Sequence, residues 1–213
     1  MINKTQLNRL RTHIDKNKEY LDSIDYNGDD DKKYSVALTM ATLMDYLGVN
    51  QINALDSVTD GGSDNKFDGF YFNDDEDELS DLIIIQSKYK REDGATGAFD
   101  EDEIKLCISN CKAFLQGENF QSTNQVLASK IDKYRQLLID NGLPAISIKL
   151  FFATNGIIHE GHKVLNEVMD GETDNIYSTF VDATKYGETQ ELKNGVLKVN
   201  LKNDLDKTDN IFN

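Results

Sequence analysis

Three polar residues interrupt two short segments that are otherwise apolar: Asp68 in KFDGFYF, and Gln86 and Lys88 in DLIIIQSKYK. Side chains on a strand alternate between its faces, so Gln86 and Lys88 share one face while Ser87 points the other way. If Phe67 to Phe72 and Leu82 to Tyr89 pair as a hairpin, Asp68 near the start of the first meets Gln86 and Lys88 near the end of the second. A carboxylate, an amide oxygen and an ammonium then sit together at one edge of a sheet. That set suits hydrolysis of a phosphodiester. Mg²⁺ or Mn²⁺ takes oxygen ligands, which Asp68, the Gln86 carbonyl and the Ser87 backbone carbonyl can supply. Lys88 can orient the attacking water or neutralise charge growing on the phosphorus oxygens. Lys90 and Arg91 add positive charge beside the set, as candidate nucleic-acid contacts. The plainer alternative makes Asp68 a turn residue, Gln86 a buried amide and Lys88 a solvated edge charge.

Asp followed by Gln-x-Lys on the next strand resembles the PD-(D/E)xK nuclease superfamily, in its Mrr-like branch with Gln at the acidic position. The wider string DGGSDNKFDGFYF…LIIIQSKYK looks most like the N-terminal nuclease-like domain of the abortive infection phage resistance (AIPR) family. The resemblance implies an α/β fold with a restriction-endonuclease-like core, a mixed central sheet flanked by helices. It also implies a metal-dependent endonuclease acting on DNA or RNA in phage defence, with Asp68, Gln86 and Lys88 catalytic and Asp68, Gln86 and Ser87 around the metal. In Mrr-like relatives an upstream helix contributes a Glu. Aligning the helix that ends LMDYLG puts Ala37 there, and Asp45, about two turns further along, is the candidate substitute. Members of that family are longer than this chain, which implies a short standalone relative or an N-terminal fragment. Two competing functions stay open: a catalytically inactive nuclease-fold module that binds nucleic acid or protein, and an unrelated α/β domain in which QSK is a coincidence.

The elements that must hold these residues fit into 213 residues, read as one domain with a helical segment over about 1–50. There are 38 acidic against 23 basic side chains, a formal net charge of -15. Phosphate backbones attract Lys and Arg, so the isolated chain is expected to hold nucleic acid weakly. A partner chain or an additional C-terminal region would supply the missing positive charge, and a homodimer is a further expectation. Charge is uneven: Asp74 to Asp81 is an acidic run, whereas Lys88, Lys90 and Arg91 cluster. Cys107 and Cys111 fall with Ile104, Ile108, Phe114 and Leu115 on one face of a helix, and two cysteines one turn apart make poor disulfide geometry. Buried free thiols and a reducing cytoplasm are expected, and no segment approaches the roughly 18 apolar residues of a membrane span.

Along the chain, Leu7, Leu10, Ile14, Leu21 and Ile24 step by a helical period over Gln6 to Ile24, with Asn27-Gly28 as the expected cap. Lys33 to Leu47 is apolar nearly all round, so this helix is expected at the centre, ended by Gly48. Ile52 to Val58 reads as a short strand before the turn at Gly61-Gly62, which lacks the spacing and following helix of a nucleotide loop. After the hairpin, KREDGATGAFDEDE reads as a polar loop able to contact substrate or merely to link. Helices over Asp100 to Gln116 and about Asn124 to Asp140 follow, the second with Lys130, Lys133 and Arg135 beside its apolar face. SIKLFFATNG then reads as a strand parallel to Leu82–Tyr89. His159, Glu160 and His162 form HExH, one residue short of the zinc-protease spacing, and read as ordinary surface histidines. IYSTFVDATKY and GVLKVNL read as two further strands, with Asn194-Gly195 as a turn.

Overall fold

The computed structural model describes residues 4–59, 61, 64–72, 82–92, 95–96, 99–117, 120–140, 147–158 and 176–181. His159, Glu160 and His162, the acidic run from Asp74 to Asp81, and the expected strand GVLKVNL lie outside them. Helices α1 (Lys4–Ser23), α2 (Asp30–Leu47) and α3 (Gln51–Asp56) come first, then strands β1 (Gly69–Tyr71) and β2 (Leu82–Lys88). Helices α4 (Glu101–Leu115) and α5 (Gln125–Asp140) and strands β3 (Ile148–Thr154) and β4 (Ile176–Val181) complete the order. The fold is mixed α/β: one sheet of order β1-β2-β3-β4, with β1 antiparallel to β2 and the other neighbours parallel.

Alternation along β2 divides the interior in two. Leu82 and Ile84 pack with Ile104, Cys107 and Ile108 of α4 and Leu127, Ile131 and Tyr134 of α5. Ile83 and Ile85 pack on the other side, with Leu10, Ile14 and Leu21 of α1 and the apolar body of α2. β3 repeats the pattern, with Ile148, Leu150 and Phe152 on the first side and Phe151 and Ala153 on the second. Because a strand pair buried on both faces removes apolar area from water twice, both read as near-continuous hydrophobic runs. Cys107 and Cys111 are buried free thiols on the α4 side, and burial pushes the Cys107 thiol well above its usual value, its neighbour Cys111 adding to the shift.

Local chemistry sets the ends of α2. Asp29 caps its start by accepting from the Lys32 N–H at 2.9 Å, with Asp30 and Asp31 in the first turn where the helix dipole favours anions. Gly48 ends it at φ 69°. The helix thus begins one turn before the expected Lys33. At the end of α1 the left-handed residue is Asp25, φ 53°, and not Gly28; aspartate is one of the few side chains that tolerates this region. The expected strand over Ile52 to Val58 is instead α3. Asn50 caps it, its side chain accepting from the Asn53 N–H, and Ile52 faces outward, 72% exposed. Only Val58 is strand-like, bridging to Gly69. A Cβ at Gly69 would stand 3.0 Å from the Thr39 methyl and 3.3 Å from Ile85 Cβ, so glycine is what lets α2 lie close on the hairpin.

Candidate functional site

β2 reaches its carboxyl end three residues beyond the last rung it shares with β1, and those three are polar. The ladder pairs Gly69 with Ile85, and Asp68 N–H donates to the Ile85 carbonyl at 2.8 Å. The Asp68 carboxylate then continues the ladder in place of backbone: its Oδ2 accepts from the Ser87 N–H at 2.6 Å and faces the Ser87 hydroxyl at 3.4 Å. A residue's N–H and C=O point to the same side of a strand, so the Ser87 carbonyl is also directed toward Asp68 past the end of β1. The Ser87 hydroxyl lies 2.8 Å from the Thr39 hydroxyl on α2.

Gln86 and Lys88 occupy the opposite face, toward α4. Gln86 is 4% exposed, and its Oε1 is buried with no hydrogen-bond partner. The Lys88 ammonium reaches both carboxylate oxygens of Glu103, at 2.6 Å each. Glu103 belongs to the capping box of α4: its N–H donates to Asp100 Oδ1 at 2.8 Å, and its carboxylate turns back toward the Asp100 N–H. One carboxylate thus closes a helix start and holds the site's ammonium.

Asp68, Gln86, Ser87 and Lys88 line a single cavity of about 380 Å³, together with Glu103. The structure therefore gathers the four residues read from the sequence and adds a fifth. The cavity's wall is completed by Asp31 and Ser35 from α2 and by Asp64 and Lys66 from the segment before β1. It opens where parallel strands β2 and β3 end, the usual place for a ligand in such sheets. The two expected nucleic-acid contacts are placed differently. Arg91 lines the cavity but forms a two-nitrogen pair with Asp31, its Nε at 3.1 Å; the guanidinium holds the Asp31 carboxyl below its usual range. Lys90 does not line the cavity. Its N–H donates to Asn155 Oδ1 and its carbonyl accepts from Asn155 Nδ2, both at 2.7 Å. In the loop that follows, Ala95 and Thr96 are tied to Ile157 by a 2.8 Å backbone bond and a parallel bridge.

Neither the position aligned with the upstream Glu, Ala37, nor its candidate substitute, Asp45, is part of the cavity wall. Ala37 is fully buried in the α1/α2 side of the core, and the positions of α2 that face the cavity are Asp31 and Ser35, with Thr39 one turn on. Asp45 sits at the other end of α2, 2.7 Å from His13 Nδ1, and its hydrogen bond raises the His13 pKa above the ordinary 6.5. Glu103 is the acid the sequence argument missed. The D-x-x-E spacing of Asp100 and Glu103 was legible as a cap, but its reach to Lys88 is a tertiary fact. Among the described residues no group of three or more His, Cys, Asp or Glu side chains is arranged to hold a metal ion. The oxygens carried by residues around the cavity are the Asp68 carboxylate, Gln86 Oε1, which is buried without a partner, and the Ser87 carbonyl, and hard oxygens of this kind are what Mg²⁺ or Mn²⁺ accepts. Comparison of the chain with protein-family models, with curated proteins and with solved structures found no match. No helix among the described residues is long and apolar enough to cross a membrane.

Proposed function

We propose that the chain is a divalent-metal-dependent nuclease of restriction-endonuclease-like fold, cleaving phosphodiester bonds of DNA or RNA in phage defence and working in the cytoplasm. The observation that carries this reading is Gln86: an amide 4% exposed, its oxygen without a partner, in a cavity shared with Asp68 and Lys88. A buried acceptor left unsatisfied costs about 1–3 kcal/mol, a cost that a bound cation removes. The hairpin that carries Asp68 and Gln-x-Lys on adjacent strands, followed by a parallel strand, supports the nuclease-like core, and the resemblance to abortive-infection proteins supports the defence setting.

Asp68, Gln86 and the Ser87 carbonyl would hold Mg²⁺ or Mn²⁺, which when bound supplies the positive charge that a phosphodiester needs to accept a nucleophile. Asp68 is oriented for this by the Ser87 N–H, which fixes its Oδ2. Lys88 holds the attacking water by donating to its oxygen, and stabilises charge on the phosphorus oxygens. Glu103 fixes where the Lys88 ammonium stands. With a net charge of -15, nucleic acid is held weakly by the isolated chain, and a partner chain that carries positive charge strengthens the hold.

The test is hydrolysis of phage DNA and cellular RNA by wild type, Asp68→Ala and Lys88→Ala side by side over a Mg²⁺ and Mn²⁺ titration. Wild type is expected to cleave only with metal, Asp68→Ala to lose both cleavage and the metal-dependent rise in melting temperature, and Lys88→Ala to lose cleavage alone. Equal activity in all three proteins overturns the proposal. A second reading, an inactive nuclease-fold module, is favoured by one observation: Lys88 is already neutralised by Glu103. That reading predicts nucleic-acid binding with no cleavage at any metal concentration.

A further inference from the structure

Among the described residues three cations line the cavity, and two of them are already matched by carboxylates. Lys88 is held by Glu103, and Arg91 by Asp31. The third is Lys66, whose ammonium makes no hydrogen bond or ion pair with the described residues, and which stands two residues before Asp68. Its placement is built rather than incidental. Asn65 and Lys66 both adopt left-handed backbone, at φ 58° and 63°, a conformation that a lysine takes only when its surroundings impose it. Those surroundings are specific. Asn110 Nδ2 donates to the Asn65 carbonyl at 2.8 Å, and the Cys107 thiol to the Lys66 carbonyl at 3.5 Å, both from α4. Lys66 N–H donates to Asp64 Oδ1 at 3.0 Å, and the next residue, Phe67, is fully buried. The backbone is pinned on both sides, and the residue it holds belongs to the cavity wall.

We infer that Lys66 is the residue that binds the phosphate of a nucleic-acid strand in this cavity, in place of Lys90 and Arg91. Lys90 has its backbone clamped by Asn155 and is not part of the cavity wall, whereas Arg91 would have to give up Asp31. A lone ammonium near Asp68 serves this role because it is a compact point charge with three donors, able to follow a phosphate without the bidentate geometry an arginine requires. The inference deepens the nuclease proposal and rests on its account of the substrate as a phosphodiester.

The experiment is fluorescence anisotropy of the full chain with short labelled oligothymidylate and oligouridylate, in Ca²⁺ and across a salt series, for wild type, Lys66→Gln, Lys66→Gly, Lys66→Arg and Arg91→Gln. Lys66→Gln and Lys66→Gly are expected to weaken binding several-fold and to lower the slope of log affinity against log salt by about 0.7, the share of one single-strand phosphate contact. Lys66→Arg keeps the slope, and Arg91→Gln leaves binding within twofold of wild type. Glycine is at ease in left-handed backbone, so Lys66→Gly keeps the wild-type melting temperature while losing affinity, a combination that a merely structural lysine does not give. Preference between the two oligomers reports DNA against RNA. Wild-type affinity and slope in both Lys66→Gln and Lys66→Gly, or no binding by wild type, overturns the inference. Lys66-dependent binding without cleavage overturns the nuclease proposal alone, and cleavage with Lys66-independent binding overturns this inference alone.

Discussion

The two faces of β2 start alike and finish differently. Both are apolar through Ile85, and both turn polar at the carboxyl end. On the α2 face the change is one residue, Ser87, whose hydroxyl is met by Thr39 and whose N–H is met by Asp68. On the α4 face it is two, Gln86 and Lys88, of which one leaves a buried oxygen unmatched and the other is matched only through a charge. On the first face the polar side chain is closed off as in a core, its hydroxyl and backbone N–H both partnered. On the second, an unsatisfied amide and a full ammonium are kept at the wall of a cavity. A polar residue in a strand therefore says little by itself about function; its partners decide.

The two faces differ most in what truncating their polar residues does to cleavage. Lys88→Ala is expected to lower metal-dependent cleavage by about 100-fold or more, whereas Ser87→Ala, which keeps its backbone N–H to Asp68, lowers it by less than tenfold; steady-state cleavage of one labelled strand measures both. Stability then separates the faces with opposite signs. Gln86→Leu replaces an unmatched amide by an apolar side chain of similar volume and is expected to raise unfolding free energy by about 1 kcal/mol while abolishing the metal-dependent thermal shift. Thr39→Val leaves the Ser87 hydroxyl without its α2 partner and is expected to cost about 1 kcal/mol. Urea melts of both variants check the signs, and a loss of stability in Gln86→Leu would remove the distinction drawn between the faces.

The smallest effect lies at the far end of α2 and tests whether that end belongs to the site. The His13 pKa is raised first by its hydrogen bond to Asp45, so the pair's contribution is full below the unfolded value near 6.5 and fades as pH rises through the higher folded value. The His13 side chain is 37% exposed, which limits this to a few tenths of a kcal/mol. Denaturant midpoints measured from pH 5.5 to 8.5 are expected to show that fade in the wild type and not in Asp45→Asn, with cleavage unchanged in the variant. A large loss of cleavage in Asp45→Asn would restore Asp45 to the site.

What could be read beforehand follows from periodicity. Gln86 and Lys88 share a face because a strand repeats every two residues, and β3 runs parallel because an apolar strand follows a helix. What failed did so for identifiable reasons. Helix α2 is apolar nearly all round, so its sequence holds no rotational phase; lining it up by its end put Ala37 toward the site, where Asp31 and Ser35 stand. Ile52, Leu55 and Val58 are spaced by three, a helical step, and Asn50 is a cap signal, so the helix α3 is legible in a segment that reads as a strand only by its place before the glycine turn. Lys66 was invisible because left-handed backbone at a non-glycine residue is imposed by partners distant in sequence, here Cys107 and Asn110.

Asn155 has a consequence for how the molecule assembles. Its amide meets both backbone groups of Lys90, so a side chain stands in for one further rung of the parallel pairing between β2 and β3. A contact spanning 65 residues cannot form until helices α4 and α5 have folded back between the strands, and the entropy of closing so long a loop makes such pairings late and slow. The β1–β2 hairpin that carries Asp68 and Lys88 is local by comparison. All three principal residues, Asp68, Gln86 and Lys88, can thus meet early in folding, while the strand that backs them arrives later. The Lys90 amide proton, shielded only once Asn155 is in place, becomes a natural clock in hydrogen exchange for the closure of the sheet.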